Sequence, residues 1–185
     1  MGQSATIEIS SSKGKLTKAL VTSLAFVLIG CWLVIYQPAV RNPAFNNPAV
    51  KTAVGVATIL FFGIGVIYFS RKLFDKSPGI VIDEKGILDN SSAAAAGFIP
   101  WSDIKQFATA KLMKQEFLII VVNNPEHYLS KQTNFLKKKG MEYNNKNYGS
   151  PLAISANGLN CNLKELTSIL ESKLSEYKTY VELHQ

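Results

Sequence analysis

The sequence is poor in the residues that form disulfides, metal centres and nucleophilic sites. Its 185 residues include two cysteines and two histidines. Cys31 lies in an apolar run and Cys161 is far away from it, so their spacing does not indicate a disulfide framework. Neither His127 nor His184 has a second ligand at the spacing of a zinc site. We therefore expect no metal and no cofactor.

Catalytic motifs are also missing from the sequence. There is no glycine-rich phosphate loop, and Cys161 has no adjacent base to activate it as a nucleophile. Four acidic residues fall at predicted turns and strand ends, where solvated acids are ordinary. They are Asp83, Glu84, Asp89 and Asp103. The sequence therefore predicts a protein that is not an enzyme.

Two long runs, residues 19–36 and 52–70, contain no charged residue. As helices rising roughly 1.5 Å per residue they would extend about 27–28 Å, close to the roughly 30 Å hydrocarbon core of a bilayer. A helix buried in a small soluble domain would show a polar face, and these runs have none. The first run is longer than the apolar part of a signal peptide, and no clean cleavage site follows it. We therefore predict a transmembrane hairpin.

The net charge of +7 is concentrated around this hairpin. Residues 1–76 hold eight Lys or Arg and two acids, whereas residues 77–185 hold twelve Lys and eleven acids. The basic excess thus belongs to the flanks of the apolar runs, and we predict no binding to nucleic acid.

The same basic residues predict the orientation of the hairpin. Three precede the first run, three follow the second, and two lie in the connection between them. They are Lys13, Lys15 and Lys18, then Arg71, Lys72 and Lys76, and in the connection Arg41 and Lys51. Because positive charge accumulates on the cytoplasmic side, we predict a multi-pass protein of the inner membrane with both termini in the cytoplasm.

The chain divides into four predicted segments. Residues 1–18 are basic and rich in Ser, Lys and Gly, and we expect them to be disordered. The transmembrane hairpin spans 19–70, a stem follows at 71–78, and a soluble domain takes up 79–185.

Short β-rich runs in the soluble domain predict seven strands. In chain order these are 80–82, 87–88, 98–101, 104–110, 116–122, 152–154 and 159–161. The most apolar run, 116–122, is expected at the centre of a sheet. Between the fifth and sixth strands, Asn124 and Pro125 predict the start of a helix and Gly140 its end, with a polar loop at 141–150.

An amphipathic helix is predicted at the C-terminus. Its apolar residues recur at intervals of three or four, as one face of a helix requires. Asn162 and Glu165 have the spacing of an N-terminal capping box. The apolar stripe comprises Leu163, Leu166, Leu170, Leu174, Tyr177 and Val181. We expect this stripe to pack on the sheet.

Seven short strands followed by one amphipathic helix is the order of a pleckstrin-homology (PH) domain. Residues 79–87 (GIVIDEKGI) and 99–104 (IPWSDI) resemble the opening of membrane-anchored bacterial PH-like proteins, which also tend to have two spans before the domain. Residues 149–155 (GSPLAIS) and 157–159 (NGL) are similar to a small uncharacterised two-span bacterial family. The resemblance implies an α+β PH-like domain, a seven-stranded β-sandwich or barrel with a C-terminal capping helix and one inserted helix.

One basic cluster in the inserted helix has two interpretations. It consists of Lys131, Lys137, Lys138 and Lys139. The cluster could face anionic lipid headgroups or a protein partner. Alternatively, it is a solvated helix end whose positive charge suits the dipole at a C-terminus.

Function does not follow from a PH-like fold, which supports lipid binding, peptide binding and purely structural roles. Our main hypothesis is a non-enzymatic integral membrane protein whose cytoplasmic PH-like domain acts in binding or scaffolding, with a protein or an anionic lipid as partner. The alternative is an immunity-type protein that protects against a membrane-active toxin through its spans or outer loop.

Overall fold

The computed structural model of the chain describes residues 6–39, 41–42, 45–92, 94–112 and 115–184. The chain forms two compact units. One is the helical segment Lys13–Lys76, and the other combines Met1–Ser12 with Ser77–Gln185. The N-terminal segment therefore belongs to the same unit as the C-terminal part, although the helical unit separates them in the sequence.

The helical unit consists of α1 (Lys13–Tyr36) and α2 (Pro48–Phe74), both long and apolar enough to cross a membrane. In the most apolar 18-residue stretch of each helix, only 11% of α1 and 6% of α2 is buried. A core helix of a soluble protein would be mostly buried. The two predicted helical runs are thus confirmed, but both helices extend further into their basic flanks. In particular α2 continues through Arg71 to Phe74, so the first half of the predicted stem is helical.

Glycines allow α1 and α2 to approach each other closely. A Cβ atom added at Gly55 would lie 2.5 Å from Cγ2 of Val34 and 2.9 Å from the carbonyl oxygen of Gly30. Near the middle of both helices, the rings of Phe26 and Phe62 stack with centroids 4.3 Å apart. Small residues at a helix interface permit this kind of close packing in a membrane.

The second unit contains two antiparallel sheets, with strand orders β1-β2-β3-β4 and β5-β6-β7. The first sheet comprises β1 (Ile7–Ile9), β2 (Ile80–Ile82), β3 (Gly86–Asp89) and β4 (Gly97–Pro100). The second comprises β5 (Ile104–Leu112), β6 (Gln115–Val122) and β7 (Leu152–Ile154). As predicted, β6 is central in its sheet. Pro100 lies in the edge strand β4, where its missing N–H is tolerated.

The N-terminal segment is not disordered throughout, contrary to our prediction. Ile7 pairs with Ile82 and Ile9 with Ile80, so β1 extends the first sheet along β2. Further on, Ser11 forms an isolated bridge with Leu159. The side chain of Ile9 is buried, which explains why this short apolar-polar-apolar run forms a strand within a polar segment. Residues 1–5 of the segment predicted as disordered lie outside the described residues.

The predicted strand 159–161 is absent, since Ala156–Gly158 forms a 3-10 turn and Leu159 packs into the core after it. Within the described ranges the unit still has seven strands. The predicted last strand is missing from this number, and β1, which was not predicted, is added to it.

Two helices, rather than one, follow β6. They are α3 (Pro125–Lys131) and α4 (Phe135–Tyr148). Asn124 caps α3 as predicted, but Asn134 starts a second helix by accepting a hydrogen bond from the Lys137 N–H at 3.1 Å. Gly140 is inside α4, and the helix ends instead at Gly149, whose φ of 76° suits glycine. The predicted polar loop 141–150 is therefore mostly helical.

The C-terminal helix α5 (Leu163–Leu183) has the predicted buried stripe. Leu166, Leu170 and Leu174 are buried in the core shared with β6 and the first sheet. Asn162 caps the helix by accepting a hydrogen bond from the Glu165 N–H at 2.8 Å. Burial of this stripe holds α5 on the sheets and fixes the scaffold against which α3 and α4 lie.

Candidate functional site: a cationic cleft

Three of the four lysines of the predicted patch are not at a helix C-terminus. Lys131 ends α3, and Lys137, Lys138 and Lys139 occupy the first two turns of α4, which has no acidic residue in its first turn. The N-terminal end of a helix carries partial positive charge. The interpretation that these lysines suit the helix dipole is therefore wrong for three of the four.

The structure brings together only part of this patch. Lys131 and Lys137 line the same cleft, whereas Lys138 lies on a different surface with Glu126. Lys139 forms an exposed ion pair with Glu142, with Nζ 3.1 Å from the carboxylate. The candidate site is therefore centred on Lys131 and Lys137. These two lysines and the residues described next line one cleft, which we call the cationic cleft.

The cationic cleft lies between the edge strand β4 and the two helices α3 and α4, and has a volume of about 380 Å³. Phe98 and Pro100 of β4 and Met141 of α4 supply apolar surface. Lys131 and Lys137 add two ammonium groups. The lining therefore combines apolar side chains with two cationic groups.

His127 adds an imidazole ring to the cleft. Asn124 and Pro125 start α3 so that His127 lies in its first turn, and its ring meets that of Tyr128 edge to face with centroids 5.6 Å apart. We expected His127 to be a solvated first-turn residue, and no motif marked it as part of a site. His127 and Lys131 are four residues apart on one face of α3, and the break between α3 and α4 brings Lys137 to the same cleft.

Asp103 is the one acid among the described residues that line the cleft, and it is hydrogen-bonded. The Tyr128 hydroxyl donates to its Oδ2 atom at 2.7 Å. Burial of Tyr128, and then the hydrogen bond and charge of Asp103, raise the pKa of Tyr128 well above its ordinary value. Tyr128 thus stays protonated at neutral pH and keeps its donor directed at the carboxylate. Our expectation that Asp103 is simply solvated was wrong.

Two large apolar side chains next to the cleft are exposed. Phe135 and Leu136 begin α4 and are 70% and 80% exposed, directly before Lys137. The Nζ atom of Lys139 lies 5.8 Å from the centroid of the Phe135 ring. Apolar and cationic groups therefore share the start of α4.

Other chemistry is not evident in the part of the chain that the structure describes. No three His, Cys, Asp or Glu residues there are placed to hold a metal ion. Comparison of the chain with family models, with curated proteins and with solved structures found no match.

Proposed function

We propose that this chain is a non-enzymatic membrane protein whose cationic cleft binds an acidic ligand. The observation that supports it most is that Lys131, Lys137 and His127 converge on one cleft. Both lysine ammonium groups can donate hydrogen bonds to phosphate or carboxylate oxygens, and such charge-assisted bonds are the stronger kind. The Tyr128 hydroxyl donates a hydrogen bond to Asp103 at the wall of the cleft, so this carboxylate already has a hydrogen-bonding partner inside the protein.

Several features support placing this cleft on a membrane-anchored PH-like domain. The exposed apolar surface of α1 and α2 is what a transmembrane hairpin requires. The order of the elements, with four strands in the first sheet, three in the second and α5 at the end, agrees with the seven-stranded PH-like architecture that the resemblance implies. In this proposal β1 is the first strand of that domain, and the hairpin is inserted between the first and second strands.

The pairing of β1 with β2 supports a particular topology for the hairpin. One strand precedes α1 and the other follows α2, so the two ends of a two-span hairpin must emerge on the same side for them to pair. The basic residues on both flanks then favour the cytoplasmic side. We therefore propose an inner-membrane location with the cleft in the cytoplasm.

A test of ligand binding can use glycerol 3-phosphate as a probe. The second compact unit, which we call the soluble unit, is prepared with a Gly-Ser linker replacing residues 13–76. When the probe is added at low salt, the amide chemical shifts of residues around the cleft should change saturably. The double variant Lys131→Gln/Lys137→Gln should weaken binding at least about tenfold, because two charge-assisted contacts are lost.

The matched control is Lys138→Gln, which removes a neighbouring charge outside the cleft and should leave the affinity within about twofold. The proposal fails if no saturable shift occurs, or if Lys138→Gln weakens binding as much as the double variant does.

A further inference from the structure

The apolar residues at the start of α4 are not explained by a soluble anion as ligand. Phe135 and Leu136 are adjacent, large and mostly exposed, although burial of such side chains is favourable. A small phosphate ester in the cleft would leave both of them in water. Phe135 and Leu136 are the first two residues of α4, where the Lys139 Nζ atom lies 5.8 Å from the centroid of the Phe135 ring, so an apolar and a cationic side chain meet at this helix end.

We infer that the cleft binds the headgroup of an anionic phospholipid while Phe135 and Leu136 enter the interface of that bilayer. This inference rests on the proposed function, because the phosphate would occupy the same cleft, between Lys131 and Lys137. Phe135 and Leu136, which we call the apolar tip, would supply contact with the acyl boundary. Segments that lie in a membrane interface combine apolar side chains with lysines in this way.

Charge favours an anionic bilayer over a neutral one. Each lysine close to an anionic surface strengthens binding about fivefold at physiological ionic strength. Lys139 lies outside the cleft but its Nζ atom is 5.8 Å from the Phe135 ring of the apolar tip, so it would face neighbouring headgroups rather than the bound one. Lys139 is already paired with Glu142, and we therefore expect the smallest effect from its replacement.

The geometry also explains why the ligand would be a lipid in a bilayer rather than a protein partner. The cleft is small, at about 380 Å³, which fits one headgroup. The apolar surface outside it consists of two side chains at one helix end, which is less than a stable protein interface requires. A chain anchored by α1 and α2 would always have this ligand at high local concentration.

The experiment uses the full chain in lipid nanodiscs, with Cys31→Ala and Cys161→Ala removing the native thiols. An environment-sensitive fluorophore is attached at Leu136→Cys, and in a matched control at Leu183→Cys, a similarly exposed position at the end of α5. The discs contain phosphatidylcholine alone or mixed with phosphatidylglycerol, each with a quencher attached to the acyl chains.

We expect a blue shift and strong quenching at position 136 in discs that contain phosphatidylglycerol, and little change in phosphatidylcholine alone. The signal at position 183 should be the same in both discs. Raised salt should reduce the quenching at 136. The tip exchanges between a state in the bilayer interface and a solvent-exposed state. In the Lys131→Gln/Lys137→Gln background this equilibrium should shift roughly 25-fold toward the exposed state, since two lysine contacts are lost.

The outcomes separate the two proposals. Quenching at 136 that is equal in both lipids, or that survives the double lysine variant, overturns the lipid inference. If glycerol 3-phosphate still binds the cleft in that case, the proposed function stands and its ligand is a soluble anion. If neither lipid nor glycerol 3-phosphate binds, both proposals fail. If excess glycerol 3-phosphate competes with the lipid headgroup for the cleft and releases the tip from the bilayer, the inference is supported.

Discussion

The hydroxyl of Tyr128 lies 2.7 Å from Oδ2 of Asp103, and this hydrogen bond joins α3 to the turn between the two sheets. Asp103 ends the 3-10 turn Trp101–Asp103, which leads from β4 into β5. The Asn123 N–H also donates to the Asp103 carbonyl oxygen at 2.9 Å, just before α3 begins. The position of the cleft wall therefore depends on contacts between one turn and the inserted helices.

Tyr128 should titrate at a pH above the ordinary pKa of a tyrosine side chain. Its pKa is raised in the folded state, above the ordinary value of about 10. The stabilisation from neutral Tyr128 is thus fully present below about pH 10 and is lost only as the pH rises through the raised value. In ¹³Cζ-tyrosine spectra, the resonance that disappears in Tyr128→Phe should shift only above about pH 10. Asp103→Asn should lower that pKa, and an unchanged titration in this variant would contradict the assigned cause.

Removal of the β1 contacts should destabilise the soluble unit. In the soluble unit with a linker replacing residues 13–76, Ile9→Ala should cost about 2 kcal/mol, because its side chain is buried over the sheet. Glu8→Ala is the matched control on the exposed face of the same strand, with an expected change within about 0.5 kcal/mol. Urea unfolding measures both. Equal effects of the two variants would show that β1 does not pack as described.

A residue larger than glycine at position 55 should disturb the packing of α1 on α2. Gly55→Ala brings a methyl group against Val34 and the Gly30 carbonyl, and overpacking of this kind costs about 1–3 kcal/mol. Gly63→Ala is the control, because a Cβ there would meet nothing within 4 Å. Thermal unfolding of the full chain in detergent should show a lower midpoint for Gly55→Ala alone. A lower midpoint for both variants would indicate a general intolerance of helix substitution.

The proposed topology predicts that both chain ends are in the cytoplasm. Reporter fusions at the N-terminus and at the C-terminus should both report the cytoplasmic compartment, because β1 and β2 must be on the same side to pair. A tag in the connection 37–47 should be accessible from outside the membrane. A reporter result that places the two ends on opposite sides would contradict the pairing of Ile9 with Ile80 as well as the topology.

Long, regular patterns in the sequence predicted their structures well. The two uncharged runs became α1 and α2, and the leucine stripe including Leu166 and Leu170 became the buried face of α5. These signals repeat over many residues, so no single neighbour decides them. Ala53 and Ala57 also have the spacing of small residues at a helix interface, but both are exposed, and Gly55 between them makes the close contact. Helix rotation depends on the partner surface, which the sequence of one helix does not specify.

Short elements and the cleft were harder to predict for physical reasons. β1 has three residues and its partner is distant in the sequence, so its local pattern is too brief to stand out from a polar segment. Gly140 was expected to end the helix, yet glycine inside a helix costs only about 1 kcal/mol, and Asn134 and Gly149 determine the observed ends. The cleft requires residues from β4, α3 and α4 together, and this arrangement is tertiary.

The separation of β1 from β2 along the chain has a consequence for biosynthesis. Ile9 leaves the ribosome about seventy residues before Ile80, an interval of roughly 4–14 s at ordinary elongation rates. During that interval β1 has no partner strand, because both helices are synthesised before β2 appears. If α1 and α2 cross a membrane as proposed, a chain with β1 and β2 on opposite sides of it could not complete the first sheet. Completion of the sheet would then require that both ends of the hairpin are on the same side.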